Sequence, residues 1–290
     1  MKIIRTINGV SKNTYVISNK KTYLISDALS FLLSSNKEQE FIKQVGVDPM
    51  SFLLQGSMEK VITPFDPPEI WGSGISYYIS RKRYSEKNVA MIEGKTIYET
   101  VYDAERPETF FKGTARCVIG HNGQIRVRRD SNWTLPEPEL AVVIDFSGKI
   151  LAYTIFDDVS ARDIEAENPL YLPQSKIYDE SSAFGPFLVT PEEFGNPYEK
   201  NISMKIYRNN NVLFEGKTST SNMKTKIEKQ IHFLLIDNHV PDGTILTTGT
   251  SIIPSREKGL NEGDIVEISI DCLGSLVTKV TKHSFGTKRI

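Results

Sequence analysis

Glu137, Glu139 and Asp158 are spaced so that one β-hairpin can carry all of them on a single face. Glu139 to Phe146 reads as a strand, Ser147-Gly148 as a turn, and Lys149 to Asp157 as a second run rich in β-formers. With Ser147-Gly148 as a two-residue loop, Phe146 faces Lys149, and the same register carried along the ladder sets Glu137 opposite Asp158. Side chains alternate faces along a strand and directly opposed residues share one. Glu137, Glu139 and Asp158 therefore project together, while Asp157 points the other way. Acids this close repel one another and shift toward protonation unless a cation holds them, which points to a metal site. An all-oxygen set suits a hard divalent ion, Mg²⁺ first, with Mn²⁺ or Ca²⁺ as substitutes. The competing reading is a solvated hairpin end whose acids keep an edge from aggregating, and a single bulge would turn Asp158 away.

The elements around the hairpin are mostly strands. Short strands are expected at Lys2 to Ile7 and Asn13 to Ile17, with helical spacing from Asp27 to Leu33 and again around Phe41 to Val45. Pro64-Phe65-Asp66-Pro67-Pro68 can continue neither a helix nor a central strand, so it is the expected linker between a small α/β unit, residues 1–66, and a larger one, residues 67–290. Beyond it strands are expected at Ile70 to Ile75, Arg116 to Ile119, Ile125 to Arg128, Phe187 to Thr190, Ile202 to Arg208, Val212 to Glu215, Thr244 to Thr247, Asp264 to Ile270 and Ser275 to Thr281. Ser221 to Leu235 has helical periodicity, with Met223, Ile227, Ile231 and Leu234 on one face. So few helices interrupt the strands that a βαβ parallel sheet is excluded in favour of an α+β, β-rich, mixed and mostly antiparallel roll.

A chain of 290 residues with 39% hydrophobic content and a formal net charge of −1 has the composition of an ordinary soluble globular protein rather than a disordered chain, long enough for one large domain plus a smaller one. No apolar run approaches a membrane span, and the N-terminus lacks the apolar core of a signal peptide, so the expected location is cytoplasmic. Cys117 and Cys272 are too few for a disulfide scaffold or a Cys-based zinc site, and each is expected as a small buried residue in a strand. Arg126-Val127-Arg128-Arg129 alternates like an exposed strand and gives nucleic-acid binding little support. His121, His232, His239 and His283 show no ligand-like spacing with Glu or Cys.

Several ordered motifs then resemble those of the fumarylacetoacetate hydrolase-like superfamily: Trp71-Gly72-Ser73-Gly74, Phe111-Lys112-Gly113, Pro138-Glu139-Leu140-Ala141, Asp157-Asp158-Val159-Ser160-Ala161-Arg162-Asp163, Phe184-Gly185-Pro186 and Thr248-Gly249-Thr250. The resemblance covers residues 68 to 285, and its fold would be a mixed β-roll. In that family a Glu-x-Glu pair and the second acid of an Asp-Asp-x-Ser-Ala-Arg-Asp run hold Mg²⁺, which implies Glu137, Glu139 and Asp158 as ligands. Tyr102 to Glu108 and Glu167 to Lys176 look like the branch that dehydrates 2-keto-3-deoxy sugar acids. Hydrolytic members carry a water-activating His in a Gly-x-x-Tyr-x-x-His segment. Here that position is Ser80, and a serine hydroxyl alone is a poor base.

The resemblance implies Mg²⁺-dependent dehydration of 2-keto-3-deoxy-D-arabinonate to 2,5-dioxopentanoate, a step of pentose catabolism. A C3 proton leaves to form an enolate that a bound Mg²⁺ would stabilise, the C4 hydroxyl departs with help from an acid, and tautomerisation through C5 then gives the aldehyde of 2,5-dioxopentanoate. Lys176 and Glu108 are the candidates for base and acid; the alternatives are ion pairs of Lys176 with Asp179 or Glu180 and of Glu108 with Lys112, or a helix cap by Glu108. Ser80 and Thr250 are candidates for substrate binding, with Arg162 and Asp163 fixing the turn that holds Asp158. The rival activity at the same metal site is an acylpyruvate hydrolase or 2-oxo acid decarboxylase; the rival from another class is a binding module that merely keeps the fold. Family resemblance also implies a homo-oligomer, a dimer or tetramer, with a small-molecule 2-oxo acid as the partner and neither nucleic acid nor membrane.

Overall fold

The computed structural model describes residues 1–53, 57, 59–78, 91–92 and 95–282. At its centre the Pro138–Ile144 and Ile150–Asp158 strands pair antiparallel and are almost wholly buried. Burial on both faces explains why they read as nearly continuous apolar runs rather than alternating ones. Leu140, Val142 and Ile144 pack into one hydrophobic core, while Ala141 and Val143 pack into another on the opposite face.

Thr244–Thr247 flanks the hairpin on one side, followed by Ile70–Gly72, which runs parallel to it, and by Phe110–Gly113 at the edge. Ser182–Val189 flanks the other side and pairs in turn with Lys2–Asn8 through Lys2↔Val189 and Ile3↔Leu188. Ser11–Ser18, Lys21–Ile25 and Lys43–Val45 extend the sheet outward, and Lys60–Ile62 beside Lys2–Asn8 and Val118–Ile119 beside Ser182–Val189 complete 12 strands among the described residues. The boundary expected at residues 66/67 thus falls between strands of one sheet. A second sheet of five strands, ordered Gln124–Arg126, Gly274–Thr281, Ile265–Ile270, Asn201–Arg208 and Asn211–Ser219, covers the Leu140/Val142 face, so the roll is mixed and mainly antiparallel as expected.

The hairpin turn departs from the expected one. Asp145 N–H donates to Lys149 O and Gly148 N–H donates to Asp145 O, both at 3.0 Å, so the loop has three residues and Gly148 takes φ +85°. The pairing Ile144↔Ile150 is one residue off the assumed register, and an irregularity between Val143 and Ile144 then restores it at Val143↔Ala152. The two deviations cancel. Pro138 faces Asp157, and Asp158 N–H donates to Glu137 O at 3.0 Å.

Three other expectations need correction. Phe41 to Val45 is not helical: a 3₁₀ turn at Lys37–Glu40 leads into the Lys43–Val45 strand, with Phe41 stacked on Tyr23 at 4.1 Å between centroids. The helix expected from Ser221 starts at Ile227, because Lys224 and Thr225 donate their N–H groups to Ser76 O instead of continuing helical bonds. Cys117 is buried, but it closes a 3₁₀ turn, Ala115–Cys117; Cys272 is exposed at φ +68° in the turn before Gly274–Thr281. No helix among the described residues is long and apolar enough to cross a membrane.

Candidate active site

The ligand atoms of Glu137, Glu139 and Asp158 all lie within 4.8 Å of one another, and all three side chains are buried. Solvation cannot quench their repulsion, so this is not a solvated hairpin end. Glu139 shows the consequence: burial, then the charges of Asp158 and Glu137, hold its carboxyl well above the usual range. Its Oε2 accepts from the Gly249 N–H at 2.7 Å. Burial also opposes ionisation of Asp158, but the ammonium groups of Lys112 and Lys176 outweigh it and keep that carboxyl low.

Lys176 closes the short Leu172–Lys176 helix, which follows a turn in which Asn168 accepts from the Leu170 N–H. Its Nζ donates to Glu137 Oε2 and Asp158 Oδ2, each at 2.7 Å, and to Ser160 Oγ at 2.6 Å. Burial disfavours this ammonium, yet Asp158, Glu137 and Glu165 more than compensate and hold its pKa well above the usual lysine range. The alternative partners of Lys176 are engaged elsewhere: Asp179 pairs with Arg116 at 2.7 Å and Glu180 with Arg126 at 2.6 Å.

In the sequence, Lys112 has a place in a motif and a possible ion pair with Glu108, but no role at the acid cluster. It is fully buried beneath the acids, 2.7 Å from Asp158 Oδ1, and donates to Val159 O at 3.0 Å and Lys176 O at 2.6 Å. It therefore ties the end of the Lys176 helix to one of the clustered carboxylates and is not the partner of Glu108. A lysine inside a strand between two aromatics and a glycine, Phe110-Phe111-Lys112-Gly113, was the available signal.

Glu108 lines the same cleft, and its carboxyl is pushed up to about 7, chiefly by burial and then by the charge of Glu165. Gly74 makes room for it, because a Cβ at that position would collide with Glu108 Oε2. Thr250 also lines the cleft, and its Oγ1 accepts from the Ile252 N–H at 3.2 Å. Ser80 lies outside the described residues. Arg162 pairs with Glu165 at 2.6 Å, and Asp163 accepts from Ser131 Oγ at 2.7 Å and Asn132 N–H at 2.6 Å, which ties the segment after Asp158 to residues 131–132. The cleft adjoins a second, roomier cavity, which shares Ile75, Glu108, Glu165 and Leu172 with it.

A divalent ion fits this donor set. Three carboxylates converge, and Glu139 makes no ion pair with a cationic side chain among the described residues. Such a fold and site define a metal-dependent enzyme of the β-roll type. The fumarylacetoacetate hydrolase C-terminal model matches residues 84–281. The chain is 59% identical over 252 residues to the 2-dehydro-3-deoxy-D-arabinonate dehydratase of Saccharolobus solfataricus, an alignment covering 86% of this chain and 85% of that one. It is 42% identical to a probable 2-keto-3-deoxyxylonate dehydratase of Haloferax volcanii, over 75% of this chain and 74% of that one. A solved 2-keto-3-deoxy-D-arabinonate dehydratase complexed with magnesium and 2,5-dioxopentanoate superposes with a TM-score of 0.91 at 52% identity, covering 98% of this chain and 99% of that one. The chain belongs to the fumarylacetoacetate hydrolase family.

Proposed function

We propose that this protein is a Mg²⁺-dependent hydro-lyase that dehydrates 2-keto-3-deoxy-D-arabinonate to 2,5-dioxopentanoate. The observation that carries the reading is that Lys176 and Glu108 meet the three buried acids in one cleft, in a chain 59% identical to a dehydratase of that substrate. The D configuration follows the name of that relative. We assign Glu137, Glu139 and Asp158 to the Mg²⁺, which when bound supplies a Lewis acid for the 1-carboxylate and 2-oxo end of the substrate.

The remaining work falls to the chain. Lys176 is our candidate for moving the C3 proton: in the acid cluster alone its ammonium is favoured, and neutralising those acids releases that hold. Glu108, protonated up to about pH 7, is suited to donate to the departing C4 hydroxyl and then, as carboxylate, to carry the C5 proton in the tautomerisation that yields the aldehyde. Ser80 and Thr250 are assigned to substrate contact, the latter on its position in the cleft wall. Residues 1–66 are read as an accessory unit. A cytoplasmic, homo-oligomeric enzyme of pentose catabolism, dimer or tetramer, completes the proposal on the family resemblance.

The test is incubation of the purified protein with Mg²⁺ and 2-keto-3-deoxy-D-arabinonate, with mass and aldehyde trapping of the product. Loss of one water, blocked by EDTA, is expected; a shortened acid or CO₂ would mean cleavage and overturn the reading. Lys176→Met should abolish turnover, and near-normal turnover with intact Mg²⁺ binding would remove Lys176 from the mechanism.

A further inference from the structure

The outer wall of the cleft holds an acid that this scheme does not use. Glu165 lies on the short Arg162–Glu167 helix and lines both the carboxylate cleft and the adjoining cavity. Its Oε1 accepts from Arg162 Nη1 at 2.6 Å, which fixes the orientation of the carboxylate. Its Oε2 is buried and has no hydrogen-bond partner among the described residues. Its side chain is only 12% exposed, so bulk water offers little compensation. A buried acceptor held in one orientation without a donor costs free energy that a ligand hydroxyl can recover.

The three acids at the floor of the cleft fix the end where a 1-carboxylate and 2-oxo group belong, and Glu108 flanks the middle. Glu165 stands with Glu108 where the cleft opens into the outer cavity. A five-carbon acid chelated at the floor and flanked by Glu108 presents its far end there. We propose that Glu165 is a specificity-determining residue of this cleft, its Oε2 accepting a hydrogen bond from the terminal C5 hydroxyl of a 2-keto-3-deoxy sugar acid. The assignment rests on the dehydratase reading above. It also defines the substrate class: Glu165 selects a neutral, hydroxylated end, because a terminal carboxylate would meet a like charge at a largely buried side chain. The outer cavity leaves room for neutral acids one carbon longer. Glu165 has a second effect, since its charge is the largest contribution after burial to keeping Glu108 protonated.

The experiment compares kcat/KM for 2-keto-3-deoxy-D-arabinonate with that for 4-hydroxy-2-oxopentanoate of matching C4 configuration, which lacks only the C5 hydroxyl. A hydrogen bond to a charged acceptor predicts a preference of roughly 10- to 100-fold in the unmodified enzyme. In Glu165→Leu that preference should fall to within about threefold. Equal losses on both substrates, with the preference intact, would make Glu165 a merely structural residue and overturn the proposal.

Glu165→Gln keeps the shape and a partner for Arg162, so it guards against a folding defect in the leucine variant. It should raise relative turnover of 4-hydroxy-2-oxoglutarate, whose C5 is a carboxylate, by at least about tenfold. It should also move the alkaline fall of kcat/KM to lower pH. Unchanged exclusion of that diacid and an unshifted pH profile would likewise count against Glu165. If the unmodified enzyme turned over none of the three compounds, the dehydratase reading itself would fail, an outcome distinct from normal turnover with unaltered selectivity.

Discussion

Glu108 must hold a proton near neutrality if it is to deliver one to a leaving hydroxyl, and an ordinary glutamate would not. Burial comes first among the causes that push its carboxyl up to about 7, followed by the charge of Glu165, with Lys176 and Arg162 pulling the other way. A raised carboxyl pKa means the acid form persists to higher pH. The kcat/KM profile should therefore fall above about pH 7 as Glu108 ionises, and Glu108→Gln should cost roughly 10²- to 10⁴-fold and abolish that limb. A glutamine variant within tenfold of the parent would exclude the role. Glu139 offers the complementary test, because its charge is disfavoured by burial and by both neighbouring acids. Glu139→Gln removes that penalty, so the Tm of the metal-free protein should hold or rise. The increase in Tm on adding Mg²⁺ should nearly vanish, since ligand stabilisation scales with affinity. A full Mg²⁺-induced shift in the variant would take Glu139 out of the ligand set.

At the scale of elements, the acids became legible because a hairpin has period two, so opposed and alternate residues share a face. Even so, the loop length was misjudged, and Asp158 faces Glu137 only because the irregularity at Val143/Ile144 offsets the longer turn. Local spacing fails where tertiary partners decide, as at Phe41, whose ring stacks on Tyr23 from a neighbouring strand. Lys112 and Glu165 were missed for a related reason: each gains its meaning from groups far along the chain, Asp158 and Lys176 for the one, Glu108 for the other. The Arg162/Glu165 spacing did carry a local sign, an i,i+3 pair on a helix. Gly74 is the element-level hinge of the acid site, since its bare Cα admits Glu108. Gly74→Ala should displace that carboxylate and lower kcat by about 100-fold, the order expected for a misplaced catalytic group, while Mg²⁺ affinity measured by calorimetry stays unchanged. A parental kcat would show that Glu108 works from another position.

At the scale of the whole molecule, the acid-bearing hairpin is sandwiched. The five-stranded sheet covers one face, and on the other Ala141, Val143 and Phe156 share a core with Ile3, Val16 and Phe31 from the N-terminal segment. Proline-rich sequence at Pro64 to Pro68 signals a change of direction there, but it carries no information about strand pairing across it. Lys2–Asn8 also supplies backbone partners to Ser182–Val189, the strand next to the one that ends in Asp158. Removing residues 1–66 would therefore uncover the apolar stretch of the same hairpin face that carries the three acids, and a strand edge with it. Ile3, Ile4, Val16 and Phe31 are all fully buried, and at roughly 1.5–3 kcal/mol each their burial is comparable with the whole stability of an ordinary domain, about 5–15 kcal/mol. The truncated chain should aggregate or bind ANS without a cooperative melt, and should show no Mg²⁺-dependent turnover even with all three acids, Lys176 and Glu108 present. A soluble, cooperatively melting truncation with parental activity would mean that residues 67–290 form the metal site without that support, and that the N-terminal strands serve some other surface of the enzyme.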